Sequence, residues 1–224
     1  MGEGRLQGGG DQVEFGFSAE AIEAAAFVLA LRARGLRDKS VLGAMERVPR
    51  DLFAPRRFAD LSRSDVALPL PLGQTMTAPG TVAVMLSALK VEPEQRILEI
   101  GTGSGYVSAL LVRLGGKLLT VERYAALADG AVMRFSELGL AKDIQIKVGN
   151  GLALGNVGRF DRILLNGALA TIPPAVTSLL APGGRLIGAL TVDGFPRLVE
   201  MMRSEDGELS ERNGASLRIS PLVV

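Results

Sequence analysis

Apolar positions recur at two spacings along this chain, and the change comes near residue 96. Before it, helical spacing dominates. Ser18 precedes "AEAIEAAAFVLALRAR" and Gly35 follows it, which predicts a helix over about 19–34, capped by a side-chain oxygen and ended by glycine. A second helix is expected over about 38–47. "VPRDLFAPRRF" (48–58) turns through Pro49 and Pro55. The segment "ALPLPLGQTMTAPG" (67–80) has too many prolines for a helix or a central strand and reads as an extended, ordered loop. "TVAVMLSAL" (81–89) then continues as helix.

From Arg96 onward, short apolar runs alternate with helical stretches. The runs at 96–100, 117–122, 144–148, 161–166 and 184–190 read as strands, and 105–114, 124–139 and 173–181 as helices between them. Such alternation implies an α/β fold with a doubly wound, mainly parallel sheet covered on both faces. "FPRLVEMMR" (195–203) and "GASLRISPLVV" (214–224) supply two closing strands, the last as an antiparallel edge. The glycine-rich residues 1–12 read as a flexible tail. Residues 13–90 form a helical lid integrated with a sheet domain over 91–224.

Composition narrows the chemistry. Of 224 residues, 47% are hydrophobic and 22% charged, an ordinary globular balance. The net charge of +1 and the absence of Trp give no electrostatic or stacking footprint for nucleic acid. No apolar run approaches the roughly 20 residues of a membrane span, and the N-terminus lacks a signal-peptide layout, so a cytoplasmic protein is expected. Neither Cys nor His occurs. That removes thiolate nucleophiles, the usual zinc ligands and the commonest proton shuttle, and no metal site is expected.

The chemically informative stretch is "RILEIGTGSGYVSALL" (96–111), where Gly101, Gly103 and Gly105 join a strand to a helix. A nicotinamide fingerprint would need glycine at 106 or 108, where Tyr106 and Ser108 stand, and a P-loop Gly-Lys-Ser/Thr is absent. The pattern Glu99-x-Gly101-x-Gly103-x-Gly105 instead resembles the first motif of S-adenosylmethionine-dependent methyltransferases. That resemblance implies a Rossmann-like fold and S-adenosylmethionine as cofactor. Its binding residues would be Glu99, Gly101, Thr102, Gly103, Ser104 and Gly105. Glu122, ending the second strand, would accept from the ribose hydroxyls, and Asn150 and Gly151 would lie at the adenine. Outside that resemblance, Glu122 is equally a solvated strand end and Asn150-Gly151 a good turn.

Further pieces narrow the family. "MERVPRDLFAP" (45–55), "PLPLGQTMTAP" (69–79), "DRILLNGALATIPPAV" (161–176) and "LAPGGRLI" (180–187) stand in the order and spacing of the protein-L-isoaspartate O-methyltransferases. The resemblance runs from about residue 38 to the end. It implies methyl transfer to the free α-carboxylate of isoaspartyl residues in damaged protein, with S-adenosylhomocysteine as product. Thr77 falls where the family has a serine that contacts the acceptor; Gln74, Thr75 and Asn166 would complete that pocket. Thr77 would also serve as a helix cap before Pro79. A carboxylate acceptor is already ionised at neutral pH, so it suits a chain without His. Three departures stand out. "PLPLGQT" is two residues shorter than the usual loop, Asn166-Gly167 replaces Thr-Ala, and Asn150 replaces a common Asp. They keep open a related methyltransferase with another small-molecule or peptide acceptor, or a non-catalytic cofactor-binding homologue.

Overall fold

The computed structural model describes residues 18–224; the expected tail over 1–12 lies outside them. Three helices come first: α1 (Ala19–Ala33), α2 (Lys39–Arg47) and α3 (Pro79–Leu89). Ser18 caps α1 by accepting from Ala21 N at 3.2 Å, and the chain leaves it through Gly35 at φ 96°. Asp38 caps α2 through the amides of Ser40 and Val41. Between α2 and α3, the proline-spaced loop contains a small antiparallel pair, β1 (Leu68–Pro69) and β2 (Thr75–Met76). Its turn holds Leu72 at φ 60° and Gly73 at φ 68°, consecutive left-handed residues that close it tightly.

The sheet follows with β3 (Arg96–Ile100), β4 (Lys117–Glu122), β5 (Ile144–Val148), β6 (Phe160–Leu169), β7 (Leu180–Val192), β8 (Phe195–Arg203) and β9 (Leu209–Ser216). Its order is β5-β4-β3-β6-β7-β8-β9, parallel from β5 to β7 and antiparallel beyond. The order reverses between β3 and β6, the place where open α/β sheets bind ligands beyond the strand ends. Helices α4 (Tyr106–Arg113), α5 (Ala125–Glu137) and α6 (Pro174–Thr177) complete the fold.

Alternation along the strands separates two cores. Ile97 and Leu164 face the larger core, built with α1–α5, while Leu98, Ile163 and Leu165 face a smaller one with Val176, Leu179 and Leu180. Arg162 and Arg185 donate to the Lys90 and Ala88 carbonyls, satisfying the C-terminal end of α3 from the sheet side.

Two expected elements differ. The helix expected over 173–181 shrinks to α6, because Leu180 is drawn into register opposite Phe160 and Pro182 disfavours helical backbone just before it. The strand expected over 214–224 lies instead at β9, with Gly207 (φ 91°) in the turn that precedes it. The apolar residues after Ser216 leave the edge and cross the end of β6. Ser220 O accepts from Ala168 N at 2.9 Å, and Leu222 N donates back to Ala168 O at 2.8 Å. A β-carbon on Gly167 would lie 2.7 Å from Leu222 Cα and 2.9 Å from its nitrogen, so glycine is what admits this crossing. Gly167→Ala should therefore push the crossing segment off β6 and cost about 1–3 kcal/mol, seen as a lower urea midpoint.

Candidate active site

Beyond the ends of β3, β4 and β6 lies one cleft, lined by the glycine turn, Glu122, the Gln74–Thr77 loop, Asn166 and the crossing segment. The three glycines have different reasons. Gly105 N-caps α4 at φ 88°, and a β-carbon there would meet Phe135 at 2.7 Å, so its bareness serves helix packing. A β-carbon on Gly103, by contrast, would meet only Leu70 Cδ1 at 3.6 Å. At φ 55° it keeps the main chain bare where the cleft opens. Gly101 carries its carbonyl toward β6, where Asn166 Nδ2 donates to it at 3.0 Å.

Glu122 joins the turn to the neighbouring strand end. Its Oε2 accepts from Gly103 N at 2.8 Å and its Oε1 from Tyr124 N at 2.9 Å. The residue is 6% exposed and lines the cleft. Each oxygen keeps a lone-pair direction unused, which fits a diol donor. Bare backbone at Gly103 beside a half-used carboxylate fits the sugar and methionine parts of S-adenosylmethionine. Gly149 and Gly151 line the same cleft at the end of β5.

Glu99 is placed elsewhere. It is 0% exposed, on the helix-facing side of β3, and does not line the cleft. Its Oε2 accepts from Ser108 Oγ and, at 2.7 Å, from Thr120 Oγ1, which is also 2.6 Å from Thr102 Oγ1. Its Oε1 has no partner. Burial raises the carboxyl to about pKa 7, assisted by the Glu122 charge and opposed by the Ser108, Thr120 and Asn166 side chains. Glu99 thus braces the turn from behind through Thr102. Thr102 and Ser104 line the cleft with the glycines, the Ser104 hydroxyl accepting from Tyr106 N. Asn150 is exposed and outside the cleft lining; its Oδ1 accepts from Leu152 N at 2.8 Å, forming a local turn.

Across the cleft, Thr77 does not cap α3, whose N-cap is Ala78 with no side-chain bond. Its Oγ1 donates to Asn166 Oδ1 at 3.4 Å, a long and yielding bond. The Gly101 carbonyl fixes the Asn166 amide so that the oxygen faces Thr77. Thr75 lines the cleft from β2, and Gln74 joins it while donating to Leu72 O at 3.2 Å. One contributor escaped the sequence reading. Residues 219–224 line the cleft rather than extending an edge strand, and their apolar run was the available signal. Tyr106 lines it too, 1% exposed beneath Phe53 and Arg50.

The raised Glu99 value gives stability a sign. Between about pH 4.5 and 7 the native state keeps a proton that the unfolded chain has released, so stability falls as pH rises through that window. The fall should be about 3 kcal/mol, and Glu99→Gln should remove it, as measured by urea unfolding at about pH 5 and about pH 8.

Comparison with known proteins identifies the family and the fold. The family model for protein-L-isoaspartate(D-aspartate) O-methyltransferase (PCMT) matches residues 23–224. A protein-L-isoaspartate O-methyltransferase of Azorhizobium caulinodans is 43% identical over 210 residues, covering 92% of this chain and 94% of its own. Protein-L-isoaspartate O-methyltransferase 2 of Rhodopseudomonas palustris is 44% identical over 185 residues, 82% and 85% of the two chains. A Plasmodium falciparum crystal structure described as an enzyme of this kind, in complex with S-adenosyl-L-homocysteine, superposes with a TM-score of 0.78 at 20% identity. It covers 88% of this chain and 97% of its own, and speaks for the fold. The chain therefore belongs to the protein-L-isoaspartate(D-aspartate) O-methyltransferase family.

Proposed function

We propose that this protein transfers a methyl group from S-adenosylmethionine to the free carboxylate of L-isoaspartyl residues in proteins and peptides. The observation that carries the reading is the single cleft that joins Gly103 and Glu122 to Thr77 and Asn166. S-adenosylmethionine bound there supplies an electrophilic methyl on a sulfonium. Gly103 and Glu122 hold the nucleoside end, with Gly149 and Gly151 beside the base. Glu99, Thr102 and Ser104 keep the turn in shape from within.

The acceptor side needs orientation more than proton transfer. An α-carboxylate is ionised at neutral pH, so it attacks without a general base. Among the described residues no group of three or more acidic side chains could hold a metal ion, and the chain has no His or Cys. Thr77 is the donor that fits. Its bond to Asn166 is weak enough to be exchanged for a charge-assisted bond to the carboxylate. Until that exchange, Asn166, anchored by Gly101, holds the hydroxyl in reach of the cofactor turn. Alignment of this kind contributes several kcal/mol to such transfers. No helix among the described residues is long and apolar enough to cross a membrane. We place the protein in the cytoplasm, acting on damaged polypeptides.

The test is methyl transfer from labelled S-adenosylmethionine to an isoaspartyl peptide and to its normal aspartyl twin. Base-labile label on the isoaspartyl peptide alone is expected. Cofactor binding without label would transfer the acceptor assignment to another carboxylate or small molecule. Thr77→Ala should lower kcat/KM by about 10- to 100-fold while leaving S-adenosylhomocysteine affinity within about twofold.

A further inference from the structure

Arg50, in the "VPR" stretch, is a buried cation without an acidic partner. It is 3% exposed and forms no ion pair among the described residues. Its guanidinium is given to main-chain carbonyls instead. Nη1 donates to Ser62 O at 2.7 Å and to Ser64 O at 3.5 Å; Nη2 donates to Val66 O at 3.0 Å and to Thr77 O at 3.3 Å. Its Cζ lies 5.9 Å from the centre of the Tyr106 ring, and its Nε has no partner. Asp65 acts on Arg50 through space, but its direct contacts lie elsewhere. Asp65 accepts from Gly80 N and pairs with Arg34, and Arg63 pairs with Glu23.

Two consequences follow from this arrangement. Four carbonyls from 62 to 77 converge on one planar fork, so the loop that ends in Thr77 is held to the segment following α2. A lysine ammonium cannot reproduce this, being a compact charge without the fork. The carbonyl dipoles also satisfy hydrogen bonds without cancelling the net charge. A buried cation whose charge is offset only through space, by Asp65, is costly in a medium of low dielectric, and an anion arriving nearby relieves more of that cost.

We propose that Arg50 is the positioning and charge-selecting residue of the acceptor site, its guanidinium fixing the Thr77 main chain and favouring a carboxylate over a neutral group beside it. This rests on the isoaspartyl reading above and adds a source for acceptor selectivity. The cation acts through the Thr77 main chain and through space, and is not a catalytic residue. Arg123 also lines the cleft, but it is exposed and stands beside Glu122 at the nucleoside end.

The experiment compares Arg50→Lys, Arg50→Gln, Thr77→Ala and Arg123→Gln with the native protein. Two ligands are used in the presence of S-adenosylhomocysteine, an isoaspartyl peptide and the same peptide with its α-carboxylate converted to carboxamide. Arg50→Lys should lower kcat about tenfold or more, keep the preference for carboxylate, and leave S-adenosylhomocysteine affinity within about twofold. Arg50→Gln should lose the preference, whereas Thr77→Ala and Arg123→Gln should retain it. The assignment is overturned if Arg50→Lys turns over normally, or if cofactor affinity falls in step with kcat. It is also overturned if the preference vanishes in Thr77→Ala or Arg123→Gln, a result that decides the matter even if Arg50→Gln fails to fold. A native protein that neither binds nor methylates the isoaspartyl peptide would refute the function itself, a different outcome from any of these.

Discussion

The Gly103 amide donating to the Glu122 carboxylate is the bond on which the rest of this site depends. It spans the ends of two adjacent parallel strands and holds the turn after β3 against the end of β4. The bond satisfies an amide in a left-handed conformation and leaves half of the carboxylate free. A residue with a side chain at 103 would be strained at that φ and would project toward the cleft. The geometry required by the cofactor and the geometry preferred by the backbone therefore coincide at one glycine.

Behind that bond stands a polar cluster with no cation in it. Glu99, Ser108, Thr120 and Thr102 are all buried and bonded to one another. Two hydroxyls satisfy one carboxyl oxygen, and desolvation keeps the proton on the group well above the usual carboxylate range. The cluster fixes the rear of the turn, so the front can present backbone to a ligand. Asn166 makes a comparable link sideways, from the Gly101 carbonyl to the Thr77 hydroxyl. The glycine turn and the loop that carries Thr77 are thus mechanically connected through one amide.

The sheet strands and the glycine turn were legible because each carries a local signal: apolar runs of strand length, glycines at the strand–helix junction, and an acidic residue ending the next strand. Ser18 and Asp38 likewise announce helix starts through their own chemistry. What the sequence hid was determined by partners far along the chain. Glu99 resembles a ligand-facing acid in the motif, yet strand alternation turns it toward α4. Asn150 sits in the expected place, but its oxygen is committed to its own turn. The residues after Ser216 have strand-like composition, and burial against β6 outweighs one more edge pairing. Nothing local in "VPR" says that the arginine will be enclosed, because its four carbonyl partners come from 12 to 27 positions away.

The outer strand β9 has a consequence of its own. All eight of its residues are solvent-exposed, and Glu211, Arg212 and Asn213 stand in a row along it. A border so hydrophilic is a poor template for a foreign strand, since pairing would bring charges together and bury little hydrocarbon. By diverting its greasy final residues inward, the chain leaves its rim unattractive to neighbours. A polypeptide that reaches the cleft can then do so without zippering onto the sheet at its margin.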